Sequence, residues 1–151
     1  GSKMRHNCVA KKLGRSMSHR KALMCNMVTS LVLESQIKTT LPKAKSARRD
    51  AERMVTIARK GTLASRRRVA AFLKDPDAVR RLIDVVVPTL AKYTNGGFTR
   101  ILKLGYRRGD AAQMCLLEWV VIPPKVSAPV AGDAAEAAKP AEEAAKAVEA
   151  K

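Results

Sequence analysis

The sequence predicts an α+β domain of about four helices packed on a small sheet of about three strands, preceded by a basic arm and followed by a tail of different composition. Three observations carry that reading. Apolar residues recur at three- and four-residue steps in several stretches between 19 and 87, the spacing of one helix face. A period of two runs through 36–41 and 101–106, and 98–106 and 113–122 read as two strands on either side of 107–112. From Pro123 and Pro124 onward the composition changes altogether.

Taken in order, Gly1, Ser2 and Lys3 ahead of Met4 read as a cloning remnant or short extension and stand outside the fold argument. Residues 4–17 carry Arg5, Lys11, Lys12 and Arg15, with Gly14 breaking any period. Only Cys8, Val9, Leu13 and Met17 are apolar enough for a core, so the segment reads as an extended basic arm. Ser16 and Ser18 are both N-cap candidates for a first helix over about 19–34. Leu23, Met24, Met27, Val28, Leu31 and Val32 form its apolar stripe. In 36–41, Ile37, Thr39 and Leu41 alternate with Lys38 and Thr40 as a short strand. Pro42 suits the first turn of a second helix over about 42–60, with Thr39 or Thr40 as its cap. Ala44, Ala47, Ala51, Met54, Val55 and Ala58 make its inner face, and Gly61 suits its C-terminal end.

Thr62 caps a third helix over about 63–73 that carries Arg66, Arg67 and Arg68. Asp75 and Pro76 open a fourth over about 76–87, with Val79, Leu82, Ile83 and Val86 inward and Pro88 ending or kinking it. Asn95, Gly96 and Gly97 make a break. The strands 98–106 and 113–122 then read as an antiparallel hairpin closed by 107–112. Residues 123–151 hold no aromatic, Leu or Met and are rich in Ala, so they cannot bury enough apolar surface to offset their ordering entropy. This tail is expected to be disordered, and Pro140 interrupts its most helix-prone stretch. The domain is therefore placed at 4–122, arm included.

The 151 residues include 30 Lys+Arg against 13 Asp+Glu, a net charge of +17. Residues 121–151 hold four Lys and five acids, so 26 basic and 8 acidic residues leave 1–120 at +18. A surface so charged repels itself unless a polyanion neutralises it. No run approaches the ~18 apolar residues of a membrane span, and no apolar segment follows the first basic residues as in a secretory signal. Cys8, Cys25 and Cys115 share no C-x-x-C spacing, which argues against zinc and for a reducing compartment. No metal or cofactor is expected. No Ser/His/Asp set exists, His19 has no evident carboxylate partner, and Gly96-Gly97 lacks the rest of a phosphate loop, so no enzyme is expected.

The basic residues fall into groups: the arm, then His19, Arg20 and Lys21, then Lys38, Lys43, Lys45, Arg48 and Arg49. The others are Arg66 to Arg68, Arg80 with Arg81, and Arg100, Lys103, Arg107 and Arg108. The acids that normally partner such residues along helices are missing, and arginine's planar fork suits phosphate. The only aromatics are Phe72, Tyr93, Phe98, Tyr106 and Trp119, most of them core candidates. Recognition of a folded RNA by backbone and shape therefore fits better than base stacking. A DNA-binding, nucleoid-type protein using Arg66 to Arg68 on a helix is the alternative.

Three motifs in order, MRHN with LGRS and SHRKAL in 4–26, IKTTLPKAK in 37–45, and GGFTRILKLGYRRGD in 96–110 with MCLLE in 114–118, resemble the bacterial-type large-subunit ribosomal protein seventeen family. The resemblance covers about 4–122 and implies a mixed α/β structural protein of the large ribosomal subunit, cytoplasmic and without catalytic role. It implies binding to large-subunit ribosomal RNA near the outer side of the peptide exit tunnel, beside neighbouring ribosomal proteins. The chain is expected to be a monomer outside the ribosome and to have no membrane partner. The RNA-binding residues expected are Arg5, His6, Lys11, Lys12, Arg15, Ser18, His19, Arg20, Lys38, Thr40, Lys43, Lys45, Arg48, Arg66, Arg67, Gly96, Gly97, Thr99, Arg100, Lys103, Arg107 and Arg108.

Overall fold

The computed structural model describes residues 12–123. Arg5, His6, Cys8 and Lys11 of the arm, and the tail from 124, lie outside the described residues.

Helix α1 spans Met17–Glu34. It starts earlier than expected because Ser16 rather than Ser18 is the cap: its Oγ accepts from the His19 N–H at 3.5 Å. Left-handed Ser35 (φ 67°) ends it, its N–H returning to the Leu31 carbonyl at 2.9 Å. Met24, Cys25, Val28, Leu31 and Val32 are buried, while Leu23 and Met27 are only partly covered. Strand β1 is Gln36–Thr40, and α2, Leu41–Ala58, follows without a loop. Leu41 thus belongs to the helix: Thr40 occupies the N-cap position, without a side-chain capping bond, and Pro42 sits in the first turn, where its missing N–H costs nothing. The buried residues of α2 are the six expected ones.

Helix α3, Leu63–Leu73, begins where the Ser65 N–H donates to Thr62 Oγ1 at 3.2 Å. Helix α4, Pro76–Arg81, begins where the Asp77 N–H donates to Asp75 Oδ1 at 3.0 Å. It continues as a π-helical turn, Leu82–Val86, and a last α-helical turn, α5, Val87–Thr89. The fourth helical stretch therefore runs through Pro88. A proline ring crowds the carbonyl four residues back. Here the Val87 N–H reaches Leu82, five residues back, and the wider turn lets the chain pass the proline.

Strands β2, Thr99–Tyr106, and β3, Gln113–Trp119, form the expected hairpin, and β1 pairs with β3, giving the antiparallel order β1-β3-β2. Both strands are shorter than expected, beginning at Thr99 and ending at Trp119. Fully buried Cys115, Leu117 and Trp119 alternate along β3 on the face that meets the helices. The Trp119 indole donates to the Leu31 carbonyl at 3.1 Å, so a large apolar ring is buried with its one polar group satisfied. The opposite face carries Gln36, Glu118 and Arg100 in one row and Lys38, Leu116 and Leu102 in the next.

Arg59 fastens the irregular segment before β2. Its guanidinium donates to the carbonyls of Leu90 and Thr94 and lies 4.6 Å from the centre of the buried Phe98 ring.

Candidate nucleic-acid interface

The end of the arm folds back on the first turn of α1. Leu13 (φ 56°) and Gly14 (φ 63°) are successive left-handed residues that reverse the chain. Arg20 Nη1 donates to the carbonyls of Lys12 (3.4 Å) and Arg15 (3.5 Å), and Arg15 Nε donates to His19 Nε2 at 3.4 Å. Ser16 and Ser18 share a hydroxyl–hydroxyl bond of 3.3 Å. Lys12, Arg15, Ser18, His19 and Arg20, expected separately from the arm and the helix, thus form one cluster. The first turn holds no acid, and its unpaired N–H groups add partial positive charge. The cluster is built to attract an anion.

A second group stands around the β1–α2 junction. Lys38, Lys45 and Arg48 are exposed, and Thr40 and Lys43 are partly covered. The first turn of α2 also lacks acids. Arg48 is engaged internally, its Nε 3.1 Å from Glu52 Oε1. The sheet register places Lys38 and Arg100 on the same helix-free face, two residues apart along the strands.

Arg66 and Arg67 lie on the outer side of α3, at a cleft of about 330 Å³ against α4. Lys74 and Arg80 complete the basic rim over Ala70 and Val79. Lys74 is absent from the residues expected from the sequence because its signal is tertiary: the left-handed turn after α3 (φ 63° at Lys74 itself) puts it beside the arginines. Arg81, grouped in the sequence with Arg80, is instead only 8% exposed. Its Nε donates to the Val32 carbonyl at 2.7 Å and its Nη2 to Ser35 Oγ at 3.2 Å, at the C-terminus of α1.

The remaining expected residues belong to the hairpin. Gly96 (φ 104°) and Gly97 (φ 74°) need glycine for their backbone conformation, and a Cβ on either meets nothing within 4 Å. Thr99 is turned inward, 3% exposed, and its hydroxyl donates to Glu52 Oε1 at 3.0 Å. Arg100 pairs with Glu118, which is 3% exposed. Arg107 holds Asp110 through two bonds of 3.0 and 2.6 Å. Lys103 and Arg108 are exposed and join no ion pair among the described residues.

The arrangement is a set of cationic surfaces, and the described residues bring no nucleophile, base and acid together. No described helix is long and apolar enough to cross a membrane. A model of the family described as Ribosomal protein L17 matches residues 23–120. The chain belongs to the ribosomal protein L17 family. Membership in this ribosomal protein family makes it a non-enzymatic protein. Similar proteins include three named "Large ribosomal subunit protein bL17". That of Myxococcus xanthus is 50% identical over 140 residues, 93% of this chain and 97% of its own. That of Desulforamulus reducens is 49% identical over 110 residues, 73% of this chain and 97% of its own. That of Agrobacterium fabrum is 47% identical over 137 residues, 89% and 96% respectively. A 140-residue match cannot fit within 4–122, so likeness within the ribosomal protein L17 family reaches into the segment after Pro123. The Desulforamulus relative is nearly spanned by 110 residues, which leaves little of it to correspond to that segment.

Proposed function

We propose that the chain is a structural constituent of the large ribosomal subunit that binds and stabilises folded ribosomal RNA through phosphate contacts, close to the outer side of the peptide exit tunnel. The observation that carries the RNA reading is the cluster at the start of α1: Lys12, Arg15 and Arg20 gathered on a helix N-terminus without an acid. The names of its relatives and their match along most of their length support the ribosomal setting. The location near the exit tunnel rests on the motif resemblance in 4–26, 37–45 and 96–118.

In this reading Arg5, His6 and Lys11 of the arm place their charges on RNA phosphates. Ser18, His19, Lys38, Thr40, Lys43, Lys45, Arg66, Arg67, Lys103 and Arg108 add contacts, and Gly96 and Gly97 hold the backbone of the neighbouring turn. Arg48, Arg100 and Arg107 contribute through whatever donors their internal partners leave available. Thr99 acts indirectly, by anchoring the start of β2 to α2. Neighbouring subunit proteins complete the surroundings, and no cofactor takes part. Free chains repel one another and stay monomeric.

The test is co-sedimentation of the full chain with large subunits at low and moderate salt, with excess duplex DNA as competitor. Retention on the subunits supports the reading. Displacement by DNA favours a nucleoid-type binder, and a chain found free of subunits at both salt levels rejects the proposal. Backbone cleavage from a probe attached to α3 then maps its position relative to the tunnel exit.

A further inference from the structure

Of the five aromatic side chains, Phe98 and Trp119 are buried, and Phe72 and Tyr93 are partly packed against the core. Tyr106 alone stands out, 71% exposed at the end of β2. Its place is well defined. Tyr106 is paired with Gln113, whose amide donates to the phenol oxygen at 3.4 Å. A bulge between Lys103 and Gly105, with Gly105 at φ 94°, shifts the register just before it. Beyond it the turn is closed by Arg107 N–H to Ala112 O (2.8 Å), Ala111 N–H to Arg107 O (3.0 Å) and the Arg107–Asp110 pair.

Gln113 continues the side of β3 that carries Cys115 and Leu117, so Tyr106 extends the core-side face past its buried part. The exposed Leu102 stands opposite Leu116 on the other face. Lys103 shares that face through its pairing with Cys115, and Arg108 follows two residues on; neither carries an ion-pair partner among the described residues, and the acid of the turn, Asp110, is engaged by Arg107. A flat π face held on a strand and flanked by unpaired cations is the combination that receives a nucleobase while its neighbours take the phosphates. Leu104, in the bulge, is also exposed, and an acidic protein partner would satisfy the cations too; the basic groups spread over the rest of the surface favour one continuous polyanion instead.

We infer that Tyr106 is a stacking platform for an unpaired base of the RNA, with Lys103 and Arg108 on the flanking phosphates. This rests on the RNA reading above and adds to it a base contact in an interface otherwise made to backbone.

The experiment compares the full chain with Tyr106→Phe and Tyr106→Ala in binding to purified large-subunit ribosomal RNA. Alongside it, assembled large subunits are ultraviolet cross-linked and the tryptic peptide 104–107 is analysed by mass spectrometry. Expected are a nucleotide adduct on Tyr106, near-wild-type affinity for the phenylalanine variant, and a loss of about 5- to 100-fold for the alanine variant. The salt dependence of the alanine variant should match the wild type, since no phosphate contact is removed. Alanine affinity within twofold of wild type, or a cross-link from this position to a neighbouring protein, overturns the stacking proposal and leaves the RNA reading standing. A wild-type chain that does not bind the RNA overturns both.

Discussion

Buried Arg81 shows how a residue's sequence company can mislead about its role. It sits beside Arg80 in a basic pair, yet only Arg80 faces solvent, with a long 4.0 Å contact to Asp77. Arg81 lies between the inward residues Ala78 and Leu82 and spends its donors on the end of α1, where orphan carbonyls and the negative end of the helix favour a cation. Cys25 and Thr29 of α1 do the reciprocal service, donating to the last carbonyls of α3 at Phe72 (2.9 Å) and Leu73 (3.3 Å). Arg81→Ala removes a charged donor and leaves a buried carbonyl and hydroxyl short of partners. It should lower unfolding stability by about 2–4 kcal/mol, read as a lower urea midpoint, with Arg81→Lys intermediate; an unchanged midpoint would show that the guanidinium does not hold the two helices. Asp110 offers a second test. Hydrogen bonds from Arg107, and then from the Ala112 N–H, hold its carboxyl down at about 2 rather than the usual 3.8. The fold thus favours the carboxylate, and the contribution is present above pH 3.8 and lost as pH falls through about 2. An NMR titration of the Asp110 carboxyl carbon should show a midpoint near 2 that rises in Arg107→Ala.

At the scale of elements, α2 is the centre of the fold because of what its inner face lacks. Ala44, Ala47, Ala51 and Ala58 are buried, with Met54 and Val55 the only larger side chains among the buried residues. Small residues let α2 lie close to the other elements it touches, α1, α3, all three strands and the π-helical turn. Ala47→Leu should therefore destabilise by overpacking, by about 1–3 kcal/mol, whereas the same change at exposed Ala64 should lie within ~0.5 kcal/mol; thermal unfolding of the pair checks it, and equal effects would mean that the face has room to spare. This alanine face was fully legible from spacing, as were the Thr62 and Asp75 caps, because each depends on residues within a few positions. What spacing did not give was decided elsewhere. Pro88 signals a stop only if the preceding turn keeps α-helical geometry, and the π-helical turn removes that condition. Cys25 is absent from the apolar stripe read in the sequence, and it is buried because α3 packs over it. The pairing of β1 with β3 rather than β2 depends on contacts some eighty residues apart, such as Thr39 with Cys115, which no local pattern encodes.

Over the whole molecule, the decisive property is the segregation of charge: +18 on residues 1–120 and net −1 on 121–151. The positions of the basic groups were readable in the sequence, since no composition with so few acids can neutralise them. Their availability was not. Four of the eight acids in 1–120 sit on particular arginines: Glu52 on Arg48, Asp77 on Arg80, Glu118 on Arg100 and Asp110 on Arg107. Those pairs form across a helix turn, across a hairpin and within a tight loop, so two of them belong to the β2–β3 hairpin. The exposure of Tyr106 was equally hidden, because a tyrosine in an alternating strand looks like core until the strand is seen to outrun the helices. This divides the arginines into two experimental classes. Arg66 and Arg67 sit on the open side of α3 without an ion pair among the described residues. Arg66→Ala with Arg67→Ala should leave the unfolding midpoint nearly unchanged while weakening binding to large-subunit RNA. The slope of log affinity against log salt should become shallower by about 0.7–0.9 for each phosphate released. Arg100→Ala should do the opposite. It leaves Glu118 buried at 3% exposure without its cation, so stability falls through the desolvation of an unpaired carboxylate. Its salt slope should change less than that of the α3 double variant, because a guanidinium already held by a carboxylate releases fewer counter-ions on meeting phosphate. Measured side by side in one salt titration and one denaturant titration, the two variants separate the cations that face the RNA from those that build the surface. Equal slopes for both would show that the internal ion pairs open on binding.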